Sequence, residues 1–150
     1  MNRETEVAEL ERQIWAVLAH LSNRRFGDAI VRVTGYNLPP ASWTLLEFLD
    51  RSGPIRVSDI AAYSDIDVSS VTPRLKALEA DGFIERGSDP ADGRVSLISI
   101  GPLGHDAVER MHKARCDVFH DGLADMDSAR IIDAADLLEQ LSKWLESSEL

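Results

Sequence analysis

Residues 55–100, IRVSDIAAYSDIDVSSVTPRLKALEADGFIERGSDPADGRVSLISI, decide the fold of this chain. Two short stretches with helical spacing of their apolar residues come first, separated by a turn around Ile66. Asp81 and Gly82 end the second stretch, because glycine is common just after the last turn of a helix. Two short apolar runs follow and predict strands joined by a loop. The segment therefore predicts two helices and a β-hairpin, with Arg94 near its tip.

The starts of the two helices can be placed from short polar residues. Ser58 is the candidate N-cap of the first helix and Asp67 of the second, because such side chains accept hydrogen bonds from free N–H groups. Pro73 lies about six residues after Asp67, where it should remove a hydrogen bond and bend the helix. The alternative is that the helix starts later and Pro73 is near its beginning. At 100° per residue, the predicted buried face holds Val71, Leu75 and Leu78, with Val68 close to it.

The opposite face of the second helix is small and polar near its start. Small side chains let a helix backbone approach the floor of the DNA major groove, where hydroxyls can meet base edges. Arg74 lies off the centre of this face and is assigned to a phosphate. The alternative is an ordinary amphipathic surface helix, because Ser and Thr are common near helix starts for local reasons. The predicted DNA contacts on this helix are Ser69, Ser70, Thr72, Pro73, Arg74 and Lys76.

The hairpin loop, DPADGR at residues 89–94, is the more specific signal. Asp92 is placed to hold Arg94 or to accept from the backbone, while Arg94 extends from a thin finger. A lone arginine on such a finger suits the minor groove, whose negative potential deepens where the groove narrows. The alternative is a solvated surface pair worth less than about 1 kcal/mol. Helix and hairpin together predict a winged helix-turn-helix that addresses two grooves of DNA.

Longer helical segments flank this centre. Residues 4–34 are predicted as a helix that Gly27 interrupts, and residues 41–51 as another. Gly101 and Pro102 open a long helix, since proline is preset for the first helical position, and a last helix starts at Asp127. The fold is thus mainly α with a small antiparallel β-hairpin and six helices, in which the N- and C-terminal helices pack together and against a second copy. The first helix carries an apolar seam of Val7, Leu10, Ile14, Val17 and Leu21.

The charge balance opposes DNA binding at first sight. The formal net charge is −10, whereas DNA-binding domains usually carry a basic patch. The excess is concentrated in residues 117–150, with a net charge of −7, while residues 55–94 have −3. Because phosphate neutralisation supplies most nonspecific binding, we expect weak nonspecific affinity and reliance on a few placed arginines. The absence of a long apolar run and of a signal-peptide pattern predicts a cytoplasmic location without membrane contact.

Taken together, these residues resemble the MarR family of transcriptional regulators. The matching stretches are GPIRVSDIA (53–61), SSVTPRLKALE (69–79), GFIER (82–86), DPADGR (89–94) and the helix entry at 100–104. The resemblance implies a homodimer that binds a roughly palindromic operator in double-stranded DNA and usually represses. It also implies release by a small, often aromatic or anionic, effector. On the matching positions, Ser69, Ser70, Thr72, Pro73 and Arg74 would meet the major groove, and Asp92 with Arg94 the minor groove.

The sequence is therefore predicted to form one MarR-type domain over residues 1–150. Residues 1–36 and 101–150 are predicted to form the dimerisation region, and residues 37–100 the DNA-binding lobe. The predicted function is a dimeric, sequence-specific transcriptional regulator, a repressor released by a small molecule. The alternative is an acidic winged-helix interaction module that has lost DNA binding, which the net charge favours.

Candidate effector and metal residues are fewer. Trp15, His20, Arg25 and Trp43 could line an effector cleft in this family. The plainer alternative is favoured: both tryptophans are more often core residues, and His20 is more often a surface or hydrogen-bonded histidine. Cys116 lies beside an arginine that could favour a thiolate, but a buried, inert cysteine is the expectation. His105, His112 and His120 share one helix at spacings too wide for one metal, so no metal and no cofactor are predicted. No catalytic arrangement stands out, and enzyme activity is not expected.

Overall fold

The computed structural model of the protein describes residues 2–64 and 66–148; Met1, Asp65, Glu149 and Leu150, three of them at the ends of the predicted domain, lie outside the described residues. Seven helices and three strands lie within these ranges. In chain order they are α1 (Arg3–Leu21), α2 (Arg24–Thr34), α3 (Pro40–Ser52), β1 (Ile55–Arg56), α4 (Val57–Tyr63), α5 (Val68–Ala80), β2 (Ile84–Ser88), β3 (Ser96–Ile100), α6 (Pro102–Gly122) and α7 (Ser128–Ser147).

The prediction of six helices is wrong by one, because the first helical segment is two helices in the described chain. The break comes at Ser22 and Asn23, and Gly27 lies inside α2. The Asn23 side chain accepts a hydrogen bond from the backbone N–H of Phe26 at 2.9 Å. This contact satisfies a free donor at the start of α2, so the new helix begins there. The predicted start of the last helix is confirmed: α7 begins at Ser128, and its N-cap Asp127 accepts through Oδ1 from Ala129 N at 3.1 Å.

The helix-turn-helix is α4 followed by α5. The prediction of Ser58 as the N-cap of the first helix is wrong, since the N-cap is Arg56 and Ser58 lies inside α4. The reason is that the chain just before α4 is held extended by β1, whose Arg56 pairs with Leu97 of β3. Asp67 is confirmed as the N-cap residue of α5; its backbone carbonyl accepts from Val71 N at 3.2 Å.

The predicted antiparallel hairpin is confirmed as β2 and β3, which we call the wing, and residues 89–95 between them are the wing loop. The sheet has a third strand, β1, that the sequence did not reveal. The strand order in the sheet is β1-β3-β2. Ile84 pairs with Ile100 at the base of the wing, and Ser88 with Ser96 next to the loop. The central position of β3 means that β1 and β2 are both tied to the same strand.

The core joins the helix-turn-helix to α3 and the first half of α6. Val71, Leu75 and Leu78 are buried as predicted, together with Leu46 and Leu49 of α3. Val68, predicted near the buried face, is instead 47% exposed. Helical side chains lean toward the N-terminus, so at the first helical position Val68 leans past the end of α5 and away from the core beneath its later turns. The buried part of α6 is Gly104, Ala107, Val108, Met111 and Ala114.

The chain forms two compact units, one ending at Ala114 and the other beginning at Arg115. Both units leave long apolar faces uncovered in the single chain. The exposed large apolar side chains of α1 are Val7, Leu10, Trp15, Val17 and Leu18. Those of α6 and α7 in the second unit are Val118, Phe119, Ile132, Leu137, Leu138, Trp144 and Leu145. Despite these faces, none of the described helices combines the length and the apolarity that a membrane crossing requires.

Among the glycines of the described chain, Gly104 near the start of α6 has the closest neighbours. A Cβ atom added to Gly104 would lie 2.1 Å from the carbonyl oxygen of Phe83 and 2.8 Å from Cγ1 of Ile100. Gly27 offers a matched control, because it is also inside a helix but has nothing within 4 Å of an added Cβ.

We expect Gly104→Ala to lower the free energy of unfolding by at least about 2 kcal/mol, because overpacking against backbone cannot relax. Gly27→Ala should raise it by about 0.5–1 kcal/mol, since glycine is a poor helix former and no contact resists the methyl group. Urea unfolding of both variants measures the two effects. Equal effects of the same sign would contradict the packing described here.

Candidate nucleic-acid interface

The outward face of α5 carries most of the residues predicted to meet DNA. Ser69, Ser70, Pro73 and Lys76 are exposed, whereas Thr72 is half-buried. The Thr72 hydroxyl donates to the carbonyl oxygen of Val68 at 2.7 Å. Its hydrogen is therefore used within the helix, and its oxygen remains an acceptor. The face offers two exposed serine hydroxyls and one lysine to a ligand.

Pro73 lies inside α5, six residues after the N-cap. The prediction of an internal proline is confirmed, and the alternative of a later helix start is wrong. Pro73 has no N–H group, so it cannot donate to the carbonyl oxygen of Ser69 one turn earlier. Its exposed ring gives the helix face a small apolar surface between polar neighbours.

Arg74 differs from the other predicted contact residues because it is half-buried and lines an open cleft of about 480 Å³. The opposite wall of the cleft belongs to α3, and its end to the turn after α4. Tyr63 at this end stacks on Phe48 with ring centroids 3.8 Å apart. The cleft thus combines apolar walls, hydroxyl groups and one guanidinium. Its other lining residues are Ala41, Thr44, Leu45, Ser64 and Ile66.

The wing loop is closed by its own backbone and by two aspartates. Asp89 N donates to Val95 O, and Val95 N donates to Asp92 O, both at 2.9 Å. Asp89 Oδ1 accepts from Ala91 N at 2.9 Å, the two-residue pattern of an Asx turn. Asp92 Oδ1 makes the same turn with Arg94 N at 3.1 Å. These bonds give the loop a defined shape on which Arg94 is carried.

Arg94 is the most accessible cation of the wing, with 94% of its side chain exposed. Both contacts considered for Asp92 are present, because its Oδ1 accepts from the Arg94 backbone and lies 3.4 Å from Arg94 Nε. An exposed pair of this kind is worth less than about 1 kcal/mol. The guanidinium is therefore oriented by Asp92 but can exchange this contact for a stronger acceptor.

Two ion pairs that attach the wing to its surroundings were missed from the sequence. Arg56 Nη2 lies 3.0 Å from Asp89 Oδ2, and Arg86 Nε lies 3.3 Å from Glu79 Oε2. The backbone N–H of Ala91 and then the Arg56 guanidinium lower the pKa of the Asp89 carboxyl. The Asp-Pro pair at residues 89–90 is a turn signal that could have predicted the Asx turn. Nothing in the spacing indicates these partners, because the pairing of β1 and β2 with β3 brings Arg56 to Asp89, and the turn between α5 and β2 brings Arg86 to Glu79.

Polar contacts also join the start of α6 to the elements that precede the helix-turn-helix. Asp106 Oδ2 accepts from the Tyr36 hydroxyl at 2.7 Å and lies 2.8 Å from Arg110 Nε. The Tyr36 hydrogen bond and the Arg110 charge lower the pKa of the Asp106 carboxyl. His105 Nδ1 lies 2.6 Å from an oxygen of Asp50 in α3. This carboxylate is the main cause of a raised pKa at His105.

The residues predicted to line an effector cleft occupy different environments. Trp15, His20 and Arg25 are exposed, while Trp43 is buried in the core cluster of α3. The alternative that these tryptophans are core residues is therefore right for Trp43. It is wrong for Trp15, which is exposed in the single chain. The His20 ring nitrogen lies 2.7 Å from the Ala16 carbonyl oxygen of its own helix.

The expectation of a buried cysteine is also wrong. Cys116 is exposed. It follows Ala114, the last buried residue of α6, and so lies beyond the part of that helix that packs into the core. In the single chain the thiol therefore does not pack into the core.

Comparison with known proteins agrees with this geometry. The sequence profile of the MarR family matches residues 38–96. The chain is 35% identical over 107 residues to the HTH-type transcriptional regulator YxaD of Bacillus subtilis, covering 71% of this chain and 75% of the relative. It is 25% identical over 105 residues to the HTH-type transcriptional repressor IacR of Pseudomonas putida, covering 70% and 63%. A MarR family protein structure from Bacillus stearothermophilus superposes with a TM-score of 0.81 at 23% identity, covering 98% of this chain and 99% of the other.

A helix-turn-helix with an exposed second helix and an arginine-bearing wing defines a class of DNA-binding transcriptional regulators. The chain belongs to the MarR family within that class. The resemblance inferred from the residues is thereby confirmed, as is the winged-helix fold.

The contact of His105 with Asp50 predicts a pH-dependent stability. Because its folded pKa is raised above the usual value near about 6.5, the stabilisation is complete below that value and is lost as pH rises through the folded pKa. We expect His105→Gln to lower the unfolding free energy more at pH 5.5 than at pH 8.5. Urea unfolding at both pH values measures this, and the difference should shrink in an Asp50→Asn background, where only the smaller contributions of Glu109 and Asp106 remain. The same loss at both pH values would contradict the pairing.

Proposed function

We propose that this regulator is a homodimeric repressor that binds a roughly palindromic operator and releases it when a small molecule binds. The observation that carries the proposal is the wing: a loop shaped by two Asx turns presents a nearly fully exposed Arg94, and α5 presents exposed hydroxyls. A helix of this kind suits a major groove, and a lone arginine on a finger suits the adjacent minor groove.

In the major groove, α5 would use its small exposed residues. The hydroxyls of Ser69 and Ser70 can donate to or accept from base edges, and the Pro73 ring can contact a thymine methyl group. Lys76 and Arg74 supply charge for phosphates, which position the protein without reading sequence. The proposed contact set on α5 is Ser69, Ser70, Thr72, Pro73, Arg74 and Lys76.

In the minor groove, Arg94 would be the reading group. Its present partner Asp92 holds it through a weak, exposed contact, so insertion costs little. Narrow A·T-rich minor grooves attract arginine because their negative potential is enhanced. Asp92 would act on DNA indirectly, by fixing the backbone of Arg94 through the Asx turn.

Dimerisation is supported by the uncovered apolar side chains of α1 and of the second unit. Exposed apolar surface on this scale marks interaction sites in soluble proteins. We assign residues 1–36 and 101–150 to the dimer region and residues 37–100 to the DNA-binding lobe. A two-fold dimer would then read two half-sites about one helical turn, or about 10 bp, apart.

Effector control is supported by the cleft beside α5. A small aromatic or anionic molecule in this cleft would compete with phosphate for the guanidinium of Arg74. Trp15, His20 and Arg25 remain further candidates for effector contacts, and Trp43 would act from the core. The Pseudomonas putida relative is a transcriptional repressor by name, which supports repression as the default. We propose no catalytic role for any of these residues.

The alternative function is an acidic interaction module that binds a protein instead of DNA. The specific observation in its favour is the net charge of −10. This alternative function predicts that the protein selects no duplex from a pool of random DNA sequences. It also predicts that Arg94→Ala changes no interaction with nucleic acid.

Selection of duplexes from random DNA, followed by gel shifts at several salt concentrations, separates the two functions. We expect Arg94→Ala to weaken specific binding by about 1–3 kcal/mol, and Arg74→Ala to reduce the salt slope by about one unit through a lost phosphate contact. Arg24→Ala is the matched control, because Arg24 is also 94% exposed but lies in α2. Unchanged salt slopes for Arg74→Ala would reject its phosphate contact, and failure of the wild type to select any duplex would favour the alternative.

The dimer assignment has its own test. Leu138 is exposed on the apolar stripe of α7, so Leu138→Glu should leave the single chain folded but place a charge in the interface. We expect the wild type to sediment at twice 16.6 kDa and Leu138→Glu to raise the dimer dissociation constant at least about tenfold. The control Gln140→Glu adds the same charge on another side of α7 and should leave the dimer dissociation constant unchanged. A wild type that sediments as a single chain would reject the assignment.

A further inference from the structure

The Arg56–Asp89 ion pair joins the two outer strands of the wing sheet. Arg56 ends β1, and Asp89 follows the last residue of β2, while β3 lies between these strands. Neighbouring strands are about 4.8 Å apart, so the pair crosses a gap of roughly 10 Å over the central strand. The contact is 3.0 Å between Arg56 Nη2 and Asp89 Oδ2. It fixes the point at which the chain leaves the sheet and enters the wing loop.

Asp89 is also the residue on which the wing loop closes. Its backbone N–H donates to Val95 O, its Oδ1 accepts from Ala91 N, and its Oδ2 faces Arg56. The Asp89 side chain is only 14% exposed, whereas that of Arg56 is 53% exposed. The two oxygens of the Asp89 carboxylate therefore have different partners. Oδ1 shapes the wing loop, and Oδ2 attaches the loop to β1 through Arg56.

We propose that Arg56 is a positioning residue for DNA recognition, which holds the wing loop through Asp89 so that Arg94 is presented at a fixed place relative to α5. The inference rests on the proposed function, in which Arg94 enters the minor groove. A partly exposed ion pair contributes little to global stability. Holding a loop in its bound arrangement lowers the entropy that binding must overcome, so the pair acts mainly on affinity.

The sign of a charge change separates this role from simple electrostatics. Removing a carboxylate from a surface that meets phosphates normally strengthens DNA binding, because repulsion falls. Removal of the Asp89 charge should instead weaken binding, because the wing loses its attachment. Asp89→Asn is the suitable change, since asparagine can still form the Asx turn with Ala91 and only the pairing with Arg56 is weakened. Glu85→Gln, an exposed acid on β2, is the matched control.

The experiment measures binding of a selected duplex by fluorescence anisotropy, with the full chain and its variants. We expect Asp89→Asn and Arg56→Gln each to raise the dissociation constant about fivefold, Arg56→Lys to recover part of the loss, and Glu85→Gln to bind as tightly as the wild type or more tightly. The melting temperatures should stay close to that of the wild type. In an Arg94→Ala background, Asp89→Asn should cause no further loss, because the pair acts through Arg94.

Several results would overturn the proposal. If Asp89→Asn binds as tightly as the wild type, the pair does not position the wing. If the same loss persists in the Arg94→Ala background, the pair acts elsewhere than through Arg94. Both outcomes leave the proposed function standing, because the wild type still selects its duplex. A wild type that selects no duplex overturns the function and this inference together. Should Asp89→Asn fail to fold, Arg56→Gln tests the same contact by comparison of its effect with and without Arg94, because a loss of equal size in the Arg94→Ala background would reflect only the lost charge and overturn the proposal.

Discussion

The structure depends on one close contact, between the start of α6 and the peptide that ends the turn after α5. The carbonyl oxygen of Phe83 accepts from Gly101 N at 2.9 Å and leaves no room for a side chain on Gly104. The N–H group of the same residue donates to Leu78 O at 2.9 Å. One residue therefore ties α5, the wing strand β2 and α6 together. A displacement of α6 at this point must also move α5 and the wing, because side-chain rotation cannot accommodate a shift at backbone contacts.

Much of the DNA-facing architecture could be predicted from local sequence signals. The apolar spacing of Val71, Leu75 and Leu78 identified the buried face of α5, and Asp67 identified its start. Alternation and turn residues identified the wing. These features depend on residues close in the chain, where spacing and geometry are directly linked. The long-range polar contacts of the wing and α6 could not be found in this way. The paired residues Arg56 and Asp89 are 33 positions apart, His105 and Asp50 are 55 apart, and Tyr36 and Asp106, joined by a hydrogen bond, are 70 apart.

The errors of the sequence analysis also have physical causes. Ser58 has the chemistry of an N-cap, but the pairing of β1 with β3 keeps the preceding backbone extended and moves the helix start to Val57. Val68 has the right angle on the helix, but the projection assumes that the core extends along the whole helix, whereas Val68 at the N-terminal end of α5 is 47% exposed. In both cases the local pattern was overridden by the position of the element within the tertiary structure. The predicted ends of helices and strands are the least accurate, because neighbouring elements compete for the same residues there.

The acidic composition shapes how this family member can hold DNA. Among the five basic residues between 55 and 94, Arg56, Arg86 and Arg94 each face a carboxylate. Arg74 is half-buried in its cleft, which leaves Lys76 as the exposed cation of α5. Nonspecific affinity grows with the number of phosphates that cations neutralise. In the proposed function, a lobe with so few available cations would obtain its affinity from shape and from base contacts, which would give the placement of Arg94 more weight than in a basic homologue.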